Sequence, residues 1–202
     1  MMYTLRNVAA GYDFSPILKI DLLEIRENSI TAFTGENGVG KTTMLRLLNL
    51  LLKPIEGQIF FNDKLIDEKS IRQKTIYTHQ NPFYFNGSVS ENILKCCSSF
   101  EKTGFTRVVE QLNLRDKIES DISTLSGGEK KRVAIARAII CDRMVYIFDE
   151  PCSSLDGPSL DMLNSVFREL KEAGKTVIFS SHNNSFVDST ADYRVDIGRL
   201  SC

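Results

Sequence analysis

Hydrophobic positions along this chain fall into two textures. Short apolar runs bounded by glycine, proline or polar clusters read as strands, and longer stretches with apolar residues three or four apart read as helices. Thr4 to Val8 and Ile17 to Ile25 are the first two runs, broken by Gly11 and Pro16, which predicts antiparallel pairing. Ser29 to Thr34 is a buried-strand run leading into a glycine loop, and KTTMLRLLNLLLK after Gly40 predicts a helix that stops at Pro54. Gly57 then opens QIFFNDKLI, a strand and turn. From Asn81 to Leu125 the texture changes. Ser88-x-x-Glu91 is a capping box, and Phe105, Val108, Val109 and Leu112 recur at helical spacing, so this stretch reads as a small helical insert. A helix continues from Val133 to Ile140, and MVYIF (Met144 to Phe148) and TVIFS (Thr176 to Ser180) are buried strands. Between them Pro158 starts a helix with Leu160, Leu163, Phe167 and Leu170 on one face, closed by Gly174. Strands alternating with helices imply an α/β fold with a largely parallel sheet. The expected organisation is one domain over 1–202, with a core of 1–80 and 126–202 interrupted by the insert 81–125.

Composition narrows the function classes. Hydrophobic residues at 42% and charged residues at 25% fit a packed globular protein rather than a disordered chain. The net charge of -1 and the lack of a basic stripe argue against a nucleic-acid partner. The local cluster Lys130, Lys131, Arg132 reads as a solvated helix face. Five cysteines, Cys96, Cys97, Cys141, Cys152 and Cys202, include no C-x-x-C pair and read as reduced structural thiols. The first residues do not form a signal peptide, and no apolar run approaches the roughly 20 residues that span a bilayer. Any membrane role must therefore come through a partner.

Candidate chemistry concentrates in two places. Gly35-Glu-Asn37-Gly38-Val-Gly40-Lys41-Thr42 matches G-x-x-x-x-G-K-[ST], followed by Thr43. Its glycines let backbone N–H groups face phosphate oxygens, the next helix adds its positive end, Lys41 supplies charge to the β- and γ-phosphates, and Thr42 offers a hydroxyl to Mg²⁺. The apolar run MVYIF ends in Asp149-Glu150, which places two acids at the carboxyl edge of the sheet, where ligands of open α/β folds bind. Asp149 is suited to hold Mg²⁺, and Glu150 to orient or deprotonate an attacking water.

A further segment separates this chain from other phosphate-loop proteins. Leu125-Ser126-Gly127-Gly128-Glu129, ahead of Lys130-Lys131-Arg132-Val133, resembles the signature motif of ABC (ATP-binding cassette) ATPases. The resemblance covers nearly the whole chain, with the motifs in the family's order. Gln80 matches the Q-loop glutamine, Ser154-Leu155-Asp156 the D-loop, His182 the switch histidine, and Tyr12 the aromatic that stacks on adenine. His79 matches no role and reads as structural. Glu36 departs from the family's usual small residue or proline, and Thr42 from its commoner serine.

The resemblance implies a P-loop NTPase (RecA-like) core with an N-terminal antiparallel β subdomain and a small helical subdomain. It implies ATP and Mg²⁺ as cofactors, with Thr42, Gln80 and Asp149 at the metal and Glu150, His182 and Gln80 in catalysis. Two copies, or a pair of cassette subunits, would face each other so that Ser126, Gly127 and Gly128 act in trans. The expected function is the ATP-hydrolysing subunit of an ABC transporter, peripheral on the cytoplasmic face of the membrane through an integral membrane subunit docked near Phe83, Tyr84 and Phe85. The alternatives are an ABC-type ATPase not tied to transport and a nucleotide-binding module without turnover.

Overall fold

The computed structural model describes residues 1–13, 15–95 and 102–200. Two sheets sandwich one helix. Strands β1 (Tyr3–Tyr12) and β2 (Ser15–Ile25) pair antiparallel. Gly11 and Pro16 lie within these strands rather than ending them. A register shift between Ala10 and Gly11 absorbs the glycine, and Pro16 sits on an edge strand, where a missing N–H is tolerated. β3 (Ile30–Thr34) belongs to the second sheet, while β4 (Glu56–Phe61) and β5 (Lys64–Leu65) complete the first in the order β2-β1-β4-β5.

The second sheet is parallel throughout. It adds β6 (Thr75–Thr78), β7 (Val145–Phe148), β8 (Thr176–Ser180) and β9 (Tyr193–Asp196) to β3, in the order β6-β7-β8-β3-β9. All residues of β3, β7 and β8 are buried, as expected for parallel strands covered on both faces. Their alternation divides the core. Phe33, Val145, Ile147 and Ile178 face helix α1 (Lys41–Leu48) and the antiparallel sheet. Ile30, Ala32, Tyr146, Phe148, Val177 and Phe179 face a helical layer on the other side.

That layer contains α3 (Val89–Leu94), α4 (Lys102–Gln111), α5 (Gly127–Ile139), α6 (Gly157–Glu172) and α7 (Asn184–Thr190). The capping box at Ser88 and Glu91 opens α3 as its sequence predicts, with both reciprocal hydrogen bonds formed. Leu163, Phe167 and Leu170 of α6 are buried, with Gly174 just beyond in a left-handed conformation at φ 77°. Helices α3 and α4 pack on α5, so the stretch expected as an insert shares one apolar cluster with the sheet.

Two further expectations are corrected, and a helix and two strands lie where the sequence pattern predicts none. Helix α1 ends at Leu48, not near Pro54, because Leu50 turns to φ 50° and the N–H groups of Leu51 and Leu52 bond back to the Arg46 carbonyl. Helix α2 (Glu68–Lys74) and strands β6 and β9 give little apolar signal, since α2 buries Ile71 alone and β9 has no fully buried residue. The basic cluster is not a solvated face: Lys131 is 6% exposed. Cys141 and Cys152 are buried, while Cys96, Cys97 and Cys202 lie outside the described residues.

Gly57 fixes the join between β1 and β4. It has φ 85°, and a Cβ there would lie 2.2 Å from the carbonyl oxygen of Asn7, itself at φ 51° in an irregularity of β1. Gly57→Ala should therefore destabilise the fold by about 2 kcal/mol, a fall in Tm of about 4–8 °C in thermal unfolding. An unchanged Tm would show that β1 can yield at Asn7.

Candidate functional site

The glycine loop bridges β3 and α1, as a phosphate-binding turn requires. Gly40 is the helix N-cap at φ 108°, a left-handed conformation that favours glycine, and a Cβ there would press on the Leu18 side-chain tip at 2.9 Å. No side chain caps this helix start, which leaves its first N–H groups available to an anion. Asn37, Gly38, Gly40, Lys41, Thr42 and Thr43 line a cavity of about 300 Å³, joined by Gln80 and Glu150. Gly35 opens the loop, and its carbonyl accepts from Lys41 Nζ at 2.9 Å; the Glu36 carbonyl does so at 3.0 Å.

The two acids at the end of β7 are buried, Asp149 at 3% exposure and Glu150 at 5%. Ionised carboxyls in such places need donors. Asp149 Oδ2 accepts from Thr42 Oγ1 at 2.8 Å and from the Tyr77 hydroxyl at 3.0 Å, and Oδ1 accepts from Ser180 Oγ at 2.7 Å. Glu150 Oε1 lies 3.6 Å from Lys41 Nζ, and Oε2 lies 2.9 Å from His182 Nδ1. Glu150 is also held at φ 47°, with its N–H donating to Ser180 Oγ at 2.8 Å. One cluster thus collects the buried Lys41, Asp149 and Glu150, the half-buried Thr42 and, at its solvent side, the exposed His182.

Other sequence candidates lie outside this cluster. Tyr12 is 40% exposed, and its hydroxyl accepts from Arg46 on α1 at 3.0 Å. Among the described residues lining the cavity, none comes from Ser126 to Gly128. Ser126 instead caps α5: its Oγ accepts from the Glu129 N–H at 3.3 Å, and its own N–H donates to Glu129 Oε2 at 2.8 Å. This capping box leaves the Gly127 and Gly128 N–H groups at the positive end of a 13-residue helix. His79 meets the Tyr77 ring edge-on at 4.5 Å, and partial burial pushes its pKa down.

The sequence reading overlooked Tyr77, Ser180 and Lys131. Burial first and then the Asp149 charge push the Tyr77 hydroxyl pKa up, so it remains a donor to that carboxylate. The fold brings Tyr77 and Ser180 in: Ser180 follows Phe179, the partner of Phe148 on β8, and Tyr77 pairs with Ile147 on β6, two residues before Asp149. Tyr84 is also corrected. Its hydroxyl donates to the Lys130 carbonyl at 2.8 Å and its ring packs on the core cluster, whereas Phe83 is 71% exposed.

The family model for the ABC transporter family matches residues 18–153. The chain is 31% identical to the L-cystine import ATP-binding protein TcyN of Bacillus subtilis, over 95% of this chain and 80% of that protein. Among solved structures, a bacterial Atm1-family ABC exporter with ATP bound superposes with a TM-score of 0.89 at 28% identity, over 98% of this chain and 38% of that one. For cbiO1 of Clostridium perfringens, part of the ABC transporter complex cbiONQ, the TM-score is 0.85 at 25% identity, over 98% and 85%. The chain belongs to the ABC transporter family. It is an ATP-binding subunit of that class, with ATPase activity coupled to transport. Among the described residues no helix is long and apolar enough to cross a membrane.

The geometry makes Lys41 the first test of the site. Lys41→Ala removes a buried cation worth about 3–5 kcal/mol to its anionic partners. ATP affinity of the folded variant, measured by titration, should fall about 10²-fold or more; affinity near that of the wild type would detach Lys41 from the triphosphate.

Proposed function

We propose that this subunit hydrolyses magnesium-bound ATP between two cassettes and passes the motion to a separate membrane subunit. The observation that carries this reading is the contact of Glu150 with both Lys41 and His182 at the rim of the phosphate-loop cavity. Lys41 and the free N–H groups of α1 bind the β- and γ-phosphates. Tyr12 stacks on the adenine ring. Among the described residues no group of three or more His, Cys, Asp or Glu side chains could hold a metal by itself. The donor set instead suits Mg²⁺, which takes one or two carboxylates plus substrate phosphates. Thr42 Oγ1 and Asp149 would hold it, with Gln80 at the cavity edge, where it neutralises triphosphate charge.

Glu150 orients the attacking water and accepts its proton as oxygen bonds to the γ-phosphorus and the bond to the β-phosphate oxygen breaks, releasing ADP and phosphate. His182 steadies Glu150 and reaches the γ-phosphate. Glu150→Gln should keep ATP binding and lose about 10²–10⁴-fold in turnover, accumulating as an ATP-bound dimer in size-exclusion runs. Turnover within a few-fold of wild type would remove Glu150 from the role of base.

Ser126, Gly127 and Gly128 of the same chain do not line the cavity. A second copy, or a paired cassette subunit, completes it by presenting those donors to the γ-phosphate. The membrane subunit docks in an apolar groove of about 290 Å³ beside Gln80, lined by Ile76, Pro82, Phe83, Phe85, Ala134 and Ala138. The Phe83 and Phe85 rings meet edge-on at 5.2 Å, and Arg137 donates to the Phe83 carbonyl at 2.9 Å, which holds the loop open to a partner. In this reading the subunit lies on the cytoplasmic face of the membrane. Phe83→Glu should release it from membranes in cells expressing the native system, with ATP affinity retained. A variant that still sediments with membranes would move the docking site elsewhere.

A further inference from the structure

Lys131 sits one turn into α5, buried to 6% exposure. Burying an ammonium costs several kcal/mol unless partners compensate, and burial pushes the pKa of this group down against the opposing pull of Asp149, Cys152 and Glu150. Its two partners are both in the site region. Nζ donates to the Gln80 carbonyl at 2.8 Å and to Ser153 Oγ at 3.1 Å. Ser153 Oγ in turn donates to the Glu150 carbonyl at 3.0 Å. The ammonium therefore joins three segments: the helix begun by Ser126, the loop carrying Gln80, and the turn that follows β7.

That turn needs external support. Two non-glycine residues in it, Glu150 at φ 47° and Ser154 at φ 65°, occupy the left-handed region. Each such residue costs about 1–3 kcal/mol and persists only where the surroundings over-determine it. From outside the turn, Ser180 holds the Glu150 N–H and Lys131 holds Ser153. Within it, the Ser153 N–H also bonds to the Glu150 carbonyl at 3.3 Å.

We propose that Lys131 is a positioning residue for ATP hydrolysis: it ties the Gln80 loop and the Glu150 turn to the signature helix, so that the base and the helix bearing Ser126 to Gly128 keep one relative geometry. This rests on the roles proposed above for Glu150 and Gln80. Lys131 is not itself one of the residues that line the phosphate-loop cavity, and it reaches that lining through the backbone carbonyl of Gln80. Its loss therefore acts on turnover and leaves nucleotide binding in place.

The test compares Lys131→Met, Ser153→Ala and the double variant with wild type, reading kcat, ATP affinity and Tm for each. Lys131→Met should lower kcat about 10-fold or more, since a misplacement of about 1 Å can cost 10²-fold, while ATP affinity stays within about three-fold. Ser153→Ala should lower kcat less. The double variant should lose no more than Lys131→Met alone, because both changes break the same chain. Wild-type kcat in Lys131→Met, losses that simply add in the double variant, or ATP affinity falling in step with kcat would each overturn the proposal. If Lys131→Met does not fold, Ser153→Ala decides alone, and wild-type kcat there overturns it. Glu150→Gln run alongside separates the two readings. Full turnover in that variant sinks the assignment of the base, whereas its loss with an unaffected Lys131→Met sinks the tie alone.

Discussion

Asp149 and Glu150 are adjacent acids, 3% and 5% exposed, at the end of a strand whose every residue is buried. Ionised carboxyls in that setting cost several kcal/mol each unless donors surround them. The donors come from separate stretches of chain: Lys41 and Thr42 from the start of α1, Tyr77 from β6, Ser180 from β8 and His182 just beyond it. Each of these elements must bring one polar group to the same sheet edge. The parallel register provides this directly, because Thr78, Phe148 and Phe179 lie abreast on β6, β7 and β8. The polar residues at or near the ends of those strands then meet around the two acids.

The same requirement explains what could be read from the sequence and what could not. The β7 and β8 runs were legible because both sheet faces are covered, so the strands are apolar without interruption. The phosphate loop was legible because its chemistry fixes residue types at fixed spacing. Strands β6 and β9 were not, since partial exposure dilutes their apolar signal. The end of α1 was misjudged because Leu50, Leu51 and Leu52 look helical, and only tertiary packing turns Leu50 to φ 50°. In the site, Lys41, Asp149 and Glu150 could be named from pattern. Tyr77 and Lys131 could not, because a tyrosine near a strand end and a lysine on a helix are ordinary until the fold buries them.

Lys131 shows how a short motif hides a second function. The sequence LSGGEKKRV places three basic residues in a row, which alone reads as a wet helix face. On a helix successive residues point about 100° apart, so the three cannot share one environment. Lys130 bonds to the Ser123 carbonyl at an exposed position, Arg132 reaches Ser159 at 3.2 Å, and Lys131 turns into the site. A run of like charges is thereby divided into three separate attachments along one turn of α5.

That division gives the signature helix two ends with different tasks. Its N-terminus carries the Gly127 and Gly128 N–H groups, whose positive field suits an anion supplied from outside this chain's own cavity. One turn further on, Lys131 is anchored to the Gln80 carbonyl and, through Ser153, to the turn of Glu150. In the pairing of two cassettes proposed above, a γ-phosphate that draws on the first end would bear on the same helix that holds the second. The strained φ values at Glu150 and Ser154 make that turn a place where a small load shifts geometry. Within this chain, the Lys131 contacts are thus what joins the signature end of α5 to the turn that carries Glu150.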